Sequence, residues 1–143
     1  MTEVKDTAAR FVNAFNTKDE NALNALHADD IKFTAPGGFK ATNKKDATAY
    51  AMTWLKAFPD GKMSVRSEIV AEPWVVQEIL MEGTHTAPLD APTGTIAPTY
   101  KRVTGYGVQI LRVKDAKIAE ARVYFDQLDQ LTQLGLIPAP TTV

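Results

Sequence analysis

The dominant hydrophobic period of this chain changes at Gly61, from helical to strand-like. Before that glycine, apolar residues recur every three to four positions, and after it every second position. Val4, Ala8, Phe11, Val12 and Phe15 fall on one helical face. Ala47, Tyr50, Ala51, Trp54, Leu55 and Phe58 repeat at the same spacing, after a cap at Thr42 or Asn43 and before a stop at Pro59-Asp60-Gly61. Between them the pattern predicts a short helix through Leu23 and Leu26, opened by a capping box in which Thr17 is the cap and Glu20 reaches back. A short strand from Ile31 to Thr34 ends at Pro36-Gly37-Gly38. Past Gly61, Met63, Val65, Ser67 and Ile69 alternate with charged and polar residues, and long strands follow at Trp74 to Thr86, Tyr100 to Val113 and Ile118 to Phe125. Their turn spacing favours antiparallel hairpins. A last helix runs from Asp126 to Leu134, with Leu128, Leu131 and Leu134 on one side and Gly135 as its C-terminal cap.

Helices first and strands afterwards, without βαβ alternation, predict an α+β fold: a curved antiparallel sheet with helices on one face. The 143 residues fit one domain spanning 1–143, with a tail from about 138, and can bury a core without disulfide or metal staples. The chain has no cysteine, which excludes thiol nucleophiles and thiolate metal sites. Its two histidines, His27 and His85, are too few and too far apart to suggest a metal centre, and no carboxylate run has calcium-loop spacing. No metal and no cofactor are expected. Sixteen basic against seventeen acidic residues leave a net charge of −1 and no basic stripe, so nucleic acid is not an expected partner. No apolar run is long enough for a membrane span, and the first fifteen residues lack a signal-peptide stretch, so a cytoplasmic protein is expected.

Three stretches carry a resemblance. They are Trp54-Leu55-Lys56-Ala57-Phe58-Pro59-Asp60, then Gly83-Thr84-His85-Thr86 leading through Pro92-Thr93-Gly94, then Lys117 to Asp126 followed by Gln133-Leu134-Gly135. In this order they resemble the SnoaL-like polyketide cyclase and ester cyclase family of the nuclear-transport-factor-2-like superfamily, from Phe11 to Pro138. The resemblance implies a cone-shaped sheet wrapped around three helices, with a deep apolar pocket between sheet and helices. It also implies cofactor-free acid/base chemistry on an apolar carbonyl-bearing substrate: aldol-type cyclisation, isomerisation or hydrolysis. By resemblance, Asp126 stands at the catalytic aspartate and His85 at a recurrent Gly-x-His position. The chain departs from the pattern in having Ala121-Arg122 where many relatives have His-Trp, and Ala116 where the turn before Lys117 usually has glycine. Ketosteroid-isomerase signatures are missing: the first helix has no tyrosine, and no acid lies between Ile31 and Lys40.

Each candidate has two readings. A carboxylic acid among apolar walls can shuttle a proton near neutral pH; Asp126 can equally cap the last helix. His85 shares strand parity with Ile79 and Met81, and is either a pocket hydrogen-bonding group or a core histidine. His27 reads as a surface residue at a helix end. Trp54 and Phe15 are core aromatics that can also touch ligand. Tyr106 is a pocket hydroxyl or a core or interface residue. Arg122 and Tyr124 share parity with Glu120, and either all enter the pocket or all lie on the outer face. The stretch from Pro88 to Pro98 is a cover over the pocket mouth or an edge decoration. Three functions compete: an enzyme, a binding module with the same pocket, and an interaction protein whose interior is filled. In each case the broad outer sheet face, with Trp74, Val76 and Val108, is expected to form a homodimer.

Overall fold

Residues 3–91 and 94–138 are described by a computed structural model. Pro92, Thr93 and the tail beyond 138 lie outside the described residues. Helix α1 (Glu3–Asn16) leads to α2 (Glu20–Leu26), β1 (His27–Ala35), β2 (Phe39–Ala41) and α3 (Lys44–Ala57). Strands β3 (Lys62–Ala71), β4 (Trp74–Thr84), β5 (Leu89–Ala91), β6 (Gly94–Ile96), β7 (Arg102–Lys114) and β8 (Lys117–Phe125) follow, then α4 (Gln127–Gln133). This is the expected α+β order.

Six strands form one sheet in the order β2-β1-β8-β7-β4-β3. All neighbours are antiparallel except β1 and β8, which run parallel. That pair departs from the hairpin expectation. A parallel pair needs a long crossover, and here everything from β2 to β7 supplies it.

Strand alternation sorts the side chains between two faces. Val75, Gln77 and Ile79 on β4, and Val103, Gln109, Leu111 and Val113 on β7, are buried toward the helices. There Val75, Ile79, Leu111 and Val113 meet Phe11 and Phe15 of α1 and Ala47, Ala51 and Leu55 of α3 in one core. The concave face is therefore the odd-numbered one on these strands, and β8 joins it through Ala121 and Val123, paired with Leu111 and Gln109. Gly107 belongs to the same row. A Cβ there would lie 2.9 Å from the Tyr124 carbonyl oxygen and 3.4 Å from Phe125 Cβ. Gly107→Ala is expected to cost about 1–3 kcal/mol by overpacking, read as a lowered urea midpoint.

Several local expectations need correction. Asp19, not Thr17, caps α2: its side chain accepts from the Ala22 N–H, while Thr17 Oγ1 turns back to donate to the Asn13 carbonyl. Asn43 is the cap of α3, accepting from the Asp46 N–H. The 88–98 stretch contains the small β5–β6 hairpin, whose Leu89 is buried with Ala57, Phe58, Val103 and Leu134. On α4, Leu134 is buried but Leu128 is 62% exposed, so the leucines do not share one buried side. The helix is held instead by Gln133, whose side-chain amide donates to the Thr104 carbonyl (2.7 Å) and accepts from the Thr104 N–H (2.9 Å). Gly135, with φ of 74°, ends α4 as expected, its N–H bonded to the Thr132 carbonyl. At the β7–β8 turn, Asp115 and Ala116 both adopt positive φ (53° and 57°), a conformation for which glycine would be the unstrained choice at position 116. No helix among the described residues is long and apolar enough to cross a membrane.

Candidate functional site

Between the concave sheet and helices α1 and α3 lies a cavity of about 140 Å³. Its interior walls are Phe11 and Phe15 from α1, Ala51, Trp54 and Leu55 from α3, and Ile79, Gln109, Val123 and Phe125 from the sheet. An aromatic chain runs along one side: Tyr50 to Trp54 (ring centroids 6.4 Å), Trp54 to Phe58 (5.9 Å), and Trp54 edge-on to Phe125 (6.0 Å). These contacts follow from sequence spacing. Positions 50, 54 and 58 stack on one face of α3, and Phe125 shares the concave row. The interior is therefore open rather than filled, which disfavours the interaction-protein reading.

Asp126 lines this cavity together with Asp129, Gln130 and Gln133 of α4. It is exposed, and its Oδ1 accepts from the Asp129 N–H at 2.9 Å, so it is the N-cap of α4. The carboxylate thus sits at the rim rather than enclosed among the apolar walls. The concave positions of β8 inside the cavity are Val123 and Phe125, both apolar.

His85 is fully buried but does not line the cavity. It follows the end of β4, where the chain turns away from the sheet, and packs on Phe58 with ring centroids 5.3 Å apart. Its Nδ1 accepts from the Thr99 N–H (3.1 Å) and lies 3.0 Å from Thr99 Oγ1, which puts the ring proton on Nε2, where no partner meets it. Loss of solvation lowers its pKa, opposed by the Ala87 backbone. This is a core histidine that ties the 99–101 segment to the end of β4. Its strand parity was read along a strand continued to Thr86, whereas β4 ends at Thr84 and the Phe58 ring stands at the cavity wall.

Trp54 and Phe15, core aromatics by their helical spacing, stand on the cavity wall. Of Tyr106, Arg122 and Tyr124, only Arg122 is absent from the lining. Their positions in the register are Leu80↔Tyr106, Ile110↔Arg122 and Val108↔Tyr124, all on the outer row. Tyr106 and Tyr124 border the cavity, yet strand alternation turns their rings outward, 60% and 54% exposed. Arg66 lies over the Tyr106 ring at 5.5 Å. Arg122 is held by Glu120 (Nη2–Oε2 2.6 Å) and covers the Trp74 ring at 5.2 Å. The pocket placement of Arg122 is corrected: the concave row of β8 is 121, 123 and 125, so Arg122 lies on the outer row, while Tyr106 and Tyr124 meet the cavity at its border.

Two buried polar groups on the wall were missed. His27 is 2% exposed, opens β1 and lines the cavity, with Nδ1 3.0 Å from Thr48 Oγ1. Burial lowers its pKa to about 4. Read as the end of a helix it seemed a surface residue; it is the first residue of a strand, turned under α3. Gln109 is 2% exposed. The Glu68 carboxylate accepts from Gln77 Nε2 (2.7 Å), so Gln77 Oε1 accepts from Gln109 Nε2 (2.8 Å), and that direction orients the Gln109 amide. The alternation of β7 marks Gln109 as concave; a polar residue in an otherwise apolar row was the available signal. Tyr50 is the third wall group, its phenol pKa raised by burial.

Residues 5–134 match the family model of the SnoaL-like polyketide cyclases. The chain belongs to this family. Aklanonic acid methyl ester cyclase DauD of Streptomyces sp. strain C5 is 31% identical over 149 aligned positions, covering 99% of this chain and 86% of that one. The cyclase DnrD of Streptomyces peucetius, of the same description, is 29% identical over 99% of this chain and 96% of its own. Among solved structures, AclR from Streptomyces galilaeus superposes with a TM-score of 0.81 at 26% identity, covering 97% of this chain and 85% of that one. A SnoaL-like protein from Jannaschia sp. CCS1 reaches 0.83 at 16% identity over 95% and 94%, which is a likeness of fold. In this cavity the carboxylates Asp126 and Asp129 stand at the rim, and the hydrogen-bonding groups of His27, Tyr50 and Gln109 stand on the inner wall. Ala121 is buried and lies on the concave row of β8, opposite Leu111.

Proposed function

We propose that the protein is a small-molecule cyclase whose cavity takes in part of an apolar, carbonyl-bearing polyketide-type molecule, with Asp126 as the proton carrier at the mouth. The observation that carries this reading is a carboxylate bordering an aromatic-walled cavity in a chain related along its whole length to two cyclases. The Asp126 carboxylate takes a proton from a carbon flanked by carbonyls. The resulting enolate carbon attacks a second carbonyl of the same molecule, one carbon–carbon bond forms, and the new alkoxide takes the proton back. The product is an isomer of the substrate, so neither oxidant nor reductant enters the step. Trp54, Phe15 and Phe125 supply flat apolar contact for the substrate's rings.

The first substrate to try is aklanonic acid methyl ester, for which both relatives are named. Ring closure faster than the uncatalysed reaction, read as a chromatographic shift at unchanged mass, is expected. Binding without any acceleration favours the second reading, a carrier or sensor of such molecules. That reading draws on the exposure of Asp126 and its engagement as a helix cap.

We also propose a homodimer through the outer sheet face. There Trp74 lies between Arg112 (6.0 Å) and Arg122 (5.2 Å), and Glu120 holds both arginines, at 3.7 Å and 2.6 Å. Around this cluster Ile69, Tyr106 and Tyr124 are more than half exposed, an apolar patch that a second copy would cover. Light scattering at micromolar concentration is expected to give twice 15.6 kDa, and Tyr106→Glu with Tyr124→Glu to give the monomer mass. A monomeric wild type overturns the assignment.

A further inference from the structure

His27 is a buried polar wall group that the proposed proton transfer does not use. Its Nδ1 meets Thr48 Oγ1 at 3.0 Å, and Thr48 Oγ1 donates onward to Asn24 Oδ1 at 3.3 Å. A hydroxyl has one proton; given to Asn24, it leaves Thr48 an acceptor, so the imidazole proton sits on Nδ1. Burial keeps the ring neutral, so Nε2 carries a bare lone pair. This nitrogen is not sealed off. Among the described residues, the buried side-chain nitrogen or oxygen without a partner is His85 Nε2 alone. His27 Nε2 therefore reaches open space, and the space its ring lines is the cavity.

We infer that His27 Nε2 is a hydrogen-bond acceptor in the buried part of the cavity, selecting ligands that present a hydroxyl, phenolic or enolic, on an aromatic ring. Phe11, whose ring lies 6.0 Å from that of His27, and the wall residues Phe15, Phe33 and Leu55 offer the ligand ring apolar contact. At about 140 Å³ the cavity is close to the size that accommodates a single benzene ring, about 150 Å³. The inference rests on reading the cavity as the ligand site and not on turnover.

Phenol and anisole make the test, because they share a ring and differ in the O–H. In wild-type protein without ligand, ¹⁵N spectra of the His27 ring are expected to show the Nδ1–H tautomer. Adding phenol should move the Nε2 resonance and adding anisole should not. The ratio of phenol to anisole affinity is expected to fall about tenfold in His27→Phe, the loss of one hydrogen bond. An Nε2-protonated ring in the free protein overturns the inference, and this is read on the wild type whether or not the variant folds. An unmoved Nε2 resonance or an unchanged ratio, with both probes bound, also overturns it and leaves the ligand-site reading standing. Failure of both probes to bind overturns both.

Discussion

Asp126→Asn is expected to keep the melting temperature of the wild type and to lower turnover by on the order of 10²–10⁴. The two effects separate because the two roles of this residue use different properties of the side chain. Capping of α4 needs only an oxygen that accepts from the Asp129 N–H, and asparagine caps a helix about as well as aspartate. Proton transfer needs a group that can gain and lose a proton, which asparagine cannot do. Asp126→Ala should lose both, with about 1 kcal/mol of stability gone with the cap. If Asp126 is only a cap, asparagine will be silent in both assays and alanine will affect stability alone. Turnover of Asp126→Asn at the wild-type rate would remove Asp126 from the reaction.

The second large effect is on stability and depends on pH. His27 has a folded-state pKa of about 4 against an ordinary 6.5. Above pH 6.5 the ring is neutral in both folded and unfolded chains and contributes no slope. As pH falls from 6.5 to 4, the unfolded chain takes up the proton and the folded chain does not. Stability is therefore lost across that window, by about 3 kcal/mol in all, and the slope ends below pH 4. Nothing charged opposes this. The groups packed on the ring are Phe11 of α1 and Thr48 of α3. Asp29 and Asp30, on its own strand, are exposed, and Asp29 pairs with Lys44 at 3.1 Å. Urea unfolding of wild type and His27→Gln at pH 7.5, 6, 5 and 4.5 isolates the term, since contributions from His85 and Asp60 are common to both. A difference between the two proteins that is constant with pH would contradict it.

What the residue pattern determined, and what it left to the fold, divide along a physical line. Periodicity sets which face of an element is apolar. The positions of α1, α3 and the long strands, the cap at Gly135, the choice between Thr42 and Asn43 as the cap of α3, and the helical faces that carry Phe15 and Trp54 were legible, because each depends on residues within a turn or two of one another. Parity along β8 also grouped Glu120, Arg122 and Tyr124 correctly as one row. It could not say which way that row faces. Facing depends on the register of β8 against β7 and on which side the helices pack, and those contacts join residues far apart in sequence. The same limit hid His27. Its local neighbours, Ala28-Asp29-Asp30, are those of a surface turn, and only the parallel pairing of β1 with β8, with α3 above, encloses it. His85 erred in the opposite sense: its parity was read along a strand that ends at Thr84, and the Phe58 ring, brought from the end of α3, stands on the cavity wall with His85 packed against it. Local chemistry determined the elements and their faces; long-range packing decided which polar groups meet the cavity.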